Sequence, residues 1–179
     1  MVDIMLDLET MGNGSDAAII AIGAVEFDVE IGELGREFYT TVDLESSVGA
    51  GGAIDPSTVL WWMKQSDEAR KEFSRPGATI IEALLLFGSW SREVYDVCVW
   101  GNGATFDNVI LANAYRRAGI DKPWPYWADR CFRTVRAINP PVDMSDYQGV
   151  AHNALSDAKW QAMYMIRMGR GPACHQKIK

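Results

Sequence analysis

The sequence predicts an α/β domain, a mixed β-sheet flanked by helices. The chain opens with three strand-like runs joined by short polar loops. Later strand-like runs alternate with segments of helical period, giving the order β-β-β-α-(α)-β-α-β-α. A chain of 179 residues, 48% hydrophobic, suits a single domain, expected over residues 1–170 with a loose tail at 171–179.

Residues 2–8, 17–28 and 36–43 carry β-branched and aromatic residues between turn signals. The connections GNGSD and EIGELG are short, which favours an antiparallel meander. GAGGAIDPST reads as a glycine-rich loop that ends with Asp55 as a helix cap and Pro56 in the first helical position, followed by a helix through Trp61 and Trp62. ATIIEALLLFGSWSREVY sets Thr79 and Glu82 at capping-box spacing ahead of apolar positions at helical period. VCVWG, residues 97–101, is a short buried strand, and TFDNVILANAYRRAG is a helix with Thr105 as its expected cap. YWADRCFRTVRAI turns from strand to helix, and INPPVDMSDYQGVAH is a loop punctuated by proline and glycine. NALSDAKWQAMYMIRM is the last helix, with Leu155, Ala158, Ala162 and Met165 expected on its buried face.

Composition narrows the function classes. A net charge of −7 argues against coating duplex nucleic acid by charge alone, because such binding draws on many Lys and Arg contacts to phosphate. The three cysteines show no CxxC spacing, so neither a zinc site nor a disulfide framework is indicated and reduced thiols are expected. The longest apolar runs are far shorter than the ~20 residues of a membrane span, and no charged-then-apolar leader opens the chain. A cytoplasmic protein without membrane contact is the expectation.

Asp7 and Glu9 lie inside the apolar run IMLDLET. Side chains alternate along a strand, so Ile4, Leu6 and Leu8 share one face while Met5, Asp7 and Glu9 share the other. Two like charges on a buried face repel and lose hydration unless a cation neutralises them. A strand that simply ends at Asp7, with both groups solvated, is the alternative. Asp107 follows the strand VCVWG at a helix start, where the macrodipole favours a carboxylate. HNALSD places His152 just before the last helix and Asp157 one turn into it.

The ordered set LDLET, GNGATFD and HNALSD resembles the three motifs of the DnaQ-like, DEDDh-type 3′-5′ exonucleases, which have a ribonuclease H-like fold. The likeness extends over residues 2–168. The wording of GNGATFDN and LWWMKQS is most similar to the exodeoxyribonuclease VIII-like and mycobacterial exoribonuclease-like branches, with RNase T and oligoribonuclease further off.

The resemblance implies a metal-dependent enzyme that hydrolyses phosphodiester bonds at single-stranded DNA or RNA 3′ ends and releases nucleoside 5′-monophosphates. It implies two Mg²⁺ or Mn²⁺ ions per site, with Asp7 binding both, Glu9 and Asp157 binding the ion that holds the nucleophilic water, and Asp107 holding the second ion mainly through water. His152 would take the proton from that water. Thr10, Met11, Trp61, Asn102 and Phe106 are the candidate substrate contacts, and a homodimer is compatible with what relatives do. Rival readings are a catalytically silent nucleic-acid-binding module and a hydrolase of very short oligonucleotides.

Other features have plainer readings. GNG lacks a downstream GK[ST] and reads as a tight turn. Trp61 and Trp62 are adjacent on a helix, so they cannot both face the core. Arg130, Arg133 and Arg136 fit either a phosphate-facing stripe or a solvated helix face, Trp124 to Trp127 read as packing residues, and Cys98 as core.

Overall fold

The computed structural model describes residues 2–71, 76–92 and 97–169. β1 (Asp3–Thr10), β2 (Ile19–Asp28) and β3 (Glu33–Thr41) form the expected antiparallel meander. After them come α1 (Leu44–Gly49), α2 (Pro56–Trp62), α3 (Asp67–Arg70) and α4 (Ile80–Ser91). β4 (Val99–Gly101), α5 (Asp107–Ala118), β5 (Asp129–Cys131), α6 (Phe132–Ile138) and α7 (Ala154–Met168) complete the order. The five-stranded sheet runs β3-β2-β1-β4-β5, with β4 parallel to both β1 and β5.

Alternation along β1 divides the core in two. Ile4, Leu6 and Leu8 pack against Ile80, Leu84 and Phe87 of α4 and against Ile110, Leu111 and Tyr115 of α5. Met5, on the opposite face, joins Phe132 of α6 and Ala158, Ala162 and Met165 of α7. Each aliphatic side chain buried this way contributes about 1.5–3 kcal/mol relative to exposure. The carboxylates of β1 that share the face of Met5 therefore look toward α7.

A glycine sets how close that helix comes. Gly23 of β2 pairs with Asp7 in the ladder, and a Cβ at Gly23 would lie 2.2 Å from the carbonyl carbon of Ala154 and from the nitrogen of Leu155. The first turn of α7 thus rests on a bare Cα beside Asp7. Gly23→Ala is expected to lose about 1–3 kcal/mol of stability through overpacking and to push Asp157 away from Asp7; urea unfolding and turnover measured together check it.

Local signals decided most helix ends. Asp55 caps α2 with Pro56 in the first turn, and α4 opens with the expected Thr79 and Glu82 capping box. Other expectations need correction. The stretch between β3 and the glycine-rich loop, for which no element was expected, forms α1, because Asp43 Oδ2 accepts from the Ser46 N–H (2.7 Å) and caps a short helix that glycine ends. Thr105 does not cap α5: Phe106 is the N-cap and offers no side-chain bond, the preceding turn being closed by the Phe106 N–H on the Gly103 carbonyl (2.7 Å). On α7 the buried position at the start is Ala154, not the half-buried Leu155.

Tyr126 and Trp127, expected to pack, are 79% and 62% exposed, whereas Trp124 is buried and donates to Asp129 Oδ1. The three arginines do not form one stripe: Arg130 donates to the Trp127 carbonyl, Arg133 lies against Gly103, and Arg136 sits over Trp160 and Tyr164. Cys98 is fully buried in the α7-side core as expected, and Cys131 is a free thiol, while Cys174 lies outside the described residues. The expected extension of the α4 helix to Tyr95 and the loose tail lie outside the described residues. No helix among the described residues is long and apolar enough to cross a membrane.

Candidate active site

β1 continues through Asp7 and Glu9 to Thr10, so neither carboxylate lies beyond the strand end. A bulge between Glu9 and Thr10 shifts the register against β2, and bulges commonly re-aim side chains beside active sites. Asp157, in the first turn of α7, comes down onto this pair over Gly23. Asp7, Glu9 and Asp157 each present a ligand oxygen, all within 4.8 Å of one another.

Asp107 approaches from β4 and α5. Its Oδ1 accepts the Leu8 N–H of β1 at 3.2 Å, which ties the start of α5 to the strand that bears the other acids. Its Oδ2 is buried and has no hydrogen-bond partner among the described residues. Gly101 at the end of β4 makes room for it, since a Cβ there would lie 3.0 Å from that oxygen.

The electrostatics follow from this crowding. Burial, with Asp107, Glu9 and Asp157 all nearby, pushes the Asp7 carboxyl well above the usual carboxylate range. Burial pushes Asp107 up to about 7, against the backbone N–H groups of Leu8 and Asn102 and the charge of Arg133. Asp157 is also raised by burial, opposed by the His152 N–H. A group of oxygen ligands that resist ionisation together, one of them an unpaired buried oxygen, suits a hard divalent cation that neutralises them.

His152 has φ of 61°, the left-handed region that a non-glycine residue seldom occupies without a compensating contact. Two contacts hold it there. Its N–H donates to Asp157 Oδ2 (3.0 Å), and its ring meets the Trp61 ring edge-to-face at 4.8 Å. Trp62 is buried and donates its indole N–H to the Thr10 carbonyl (3.0 Å), leaving Trp61 42% exposed. The adjacent tryptophans are split between core and surface, as helix geometry requires.

A pocket of about 360 Å³ opens beside the acids, lined by Leu8, Glu9, Thr10, Asn13, Ser57, Thr58, Trp61, Trp62 and Phe106. Thr10, Trp61 and Phe106 of the sequence candidates are brought to it. Met11 packs instead beside Ile20 and Trp62 in a small separate core, and Asn102 lies outside the pocket lining. Sequence reasoning missed Asn13, Ser57 and Thr58, which carry no motif, and Gln161, whose Nε2 donates to Asp7 Oδ1 at 2.7 Å. The signal for Gln161 was its place one helical turn past Asp157.

Over residues 2–168 the chain matches the 3′-5′ exoribonuclease Rv2179c-like domain. It belongs to that family. This exonuclease is 28% identical over 200 aligned residues to the exodeoxyribonuclease of Enterobacteria phage T4, covering 92% of this chain and 88% of the phage protein. Its fold matches E. coli exonuclease I in complex with a dT13 oligonucleotide, at a TM-score of 0.64 and 17% identity, over 90% of this chain and 39% of that one. The zinc-bound form of the E. coli exonuclease I complex with single-stranded DNA matches at a TM-score of 0.66 and 16% identity, over 93% and 40% of the two chains. The exonuclease thus spans about 40% of those chains, and shares with them the ribonuclease H-like fold. The family makes the chain a 3′-5′ exonuclease acting on nucleic acid, with an acidic cluster able to hold divalent metal.

Proposed function

We propose that this exonuclease removes nucleotides one at a time from single-stranded DNA or RNA 3′ ends and releases nucleoside 5′-monophosphates by two-metal-ion hydrolysis. The observation that carries the proposal is the convergence of Asp7, Glu9 and Asp157 within 4.8 Å, beside the unpaired oxygen of Asp107. Asp7, Glu9 and Asp157 would hold one Mg²⁺ or Mn²⁺ ion, with Asp7 shared and Asp107 serving the second mainly through water. Ions held there would supply an activated water and offset charge on the attacking and leaving oxygens.

The chain's own groups do the rest. His152 takes the proton of the attacking water; its backbone is tied to Asp157, and its ring is steadied by Trp61. Trp61 and Phe106 present apolar surface to a terminal base in a pocket whose lining, among the described residues, contains no Lys or Arg. Grip on the 3′ end therefore rests on stacking and metal, which agrees with a net charge of −7. The small pocket also favours short oligonucleotides, so the assay should span two to twenty nucleotides.

The test is hydrolysis of end-labelled DNA and RNA oligonucleotides with Mg²⁺ and Mn²⁺. Stepwise shortening from the 3′ end with 5′-monophosphate products is expected. Activity that survives EDTA, or products carrying a 3′-phosphate, would overturn the mechanism. Trp61→Ala is expected to raise KM by roughly 5- to 150-fold, the equivalent of about 1–3 kcal/mol of stacking on one base, as steady-state kinetics on a trinucleotide will show. The proposal includes a homodimer in the cytoplasm, checked by light scattering of the purified chain and by cell fractionation.

A further inference from the structure

We infer that Gln161 is a positioning residue for Asp7: its side-chain amide tethers one carboxylate oxygen and so sets the orientation in which Asp7 meets metal. The inference rests on the reading of Asp7 as a metal ligand. Gln161 is 2% exposed, and its Nε2 donates to Asp7 Oδ1 at 2.7 Å. It lies one turn beyond Asp157 on α7, so one helix supplies both a candidate ligand and the tether for another. Its Oε1 is buried with no partner among the described residues.

A purely structural role explains this residue poorly. The neighbouring positions Ala158, Ala162 and Met165 are apolar core, and an apolar side chain of similar size would fill the same space without burying an unpaired carbonyl. Among the described residues, Gln161 is the side-chain donor that reaches Asp7, whereas the other groups acting on Asp7 are the acids Glu9, Asp107 and Asp157. Without the amide, repulsion from those acids would turn the Asp7 carboxylate away from the position where its oxygens converge with theirs. Outer contacts of this kind typically change metal affinity by about 10- to 100-fold.

The experiment is Mn²⁺ titration by calorimetry on Gln161→Met and Gln161→Leu, which keep bulk but lack the donor, with Asp7→Ala alongside. Circular dichroism and thermal melting verify folding. The expected result is a folded Met or Leu variant that binds Mn²⁺ about 10- to 100-fold more weakly, with KM for a trinucleotide at saturating Mn²⁺ close to wild type. Wild-type Mn²⁺ affinity in a folded variant would overturn the inference, and so would collapse of the fold in both, which would make Gln161 a packing residue. If Asp7→Ala itself leaves Mn²⁺ binding unchanged, the underlying assignment of Asp7 fails instead, a result distinct from failure of the tether.

Discussion

Asp7→Ala or Asp157→Ala will reduce hydrolysis to background while leaving the metal-free fold at least as stable as wild type. The carboxyl groups of Asp7, Glu9 and Asp157 converge within 4.8 Å, and burial and mutual repulsion drive Asp7 well above the usual carboxylate range. Deleting one acid relieves that repulsion. The opposing cost is local: Asp7→Ala orphans the Gln161 amide, and Asp157→Ala frees the His152 N–H, each worth about 1–3 kcal/mol when buried. Turnover and melting temperature measured on the same preparations decide it. Wild-type turnover by either variant removes that residue from the site, and a large fall in metal-free melting temperature shows that the cluster stabilises the fold without metal.

The same shifts set a pH dependence. A carboxyl whose folded pKa is raised binds more protons folded than unfolded, so stability is lost as pH climbs from the ordinary value toward the raised one. For Asp107 that window runs from 3.8 to about 7, and Asp7 and Asp157 are shifted in the same direction. The metal-free exonuclease should therefore gain stability on mild acidification from pH 7. Saturating Mn²⁺ should cancel the trend, because metal takes the place of the protons. Melting curves across pH 5–8, with and without Mn²⁺, measure both halves; metal-free stability that rises with pH across this range would contradict the burial argument.

His152→Ala should cut the rate by about 10²–10⁴-fold, the usual worth of a general base, and leave Mn²⁺ affinity nearly unchanged. The substitution keeps the backbone N–H that donates to Asp157, so the acid remains oriented while the proton acceptor is lost. His152→Asn is a useful companion, since asparagine tolerates the left-handed backbone found at φ 61°. Loss of Mn²⁺ binding in these variants, or a rate close to wild type, would assign His152 another role.

Much of the architecture was legible because its signals are local. Alternation along IMLDLET placed Asp7 and Glu9 on the face opposite Leu6 and Leu8, and the Thr79 and Glu82 box marked the start of α4. The misses share a cause as well. The run WPYW looked like packing, but only chain direction at the β5 edge leaves Tyr126 and Trp127 in solvent while Trp124 turns inward to Asp129. Thr105 had the right residue type for a cap, yet the turn from Gly103 to Phe106 holds it one residue ahead of the N-cap.

By itself the sequence determined the class of fold and the five candidate residues Asp7, Glu9, Asp107, His152 and Asp157, since strand period, capping and motif order are properties of neighbours along the chain. Only the tertiary structure decided how they meet. That α7 reaches β1 depends on the bare Cα of Gly23, across from Asp7 and more than a hundred positions before the helix it admits. The Gln161 tether, the unpaired oxygen of Asp107 and the Trp61 contact that steadies His152 arise the same way, from groups distant in sequence brought to hydrogen-bond or van der Waals range. Such contacts are selected by the packing of the whole domain, and no local pattern of residues encodes them.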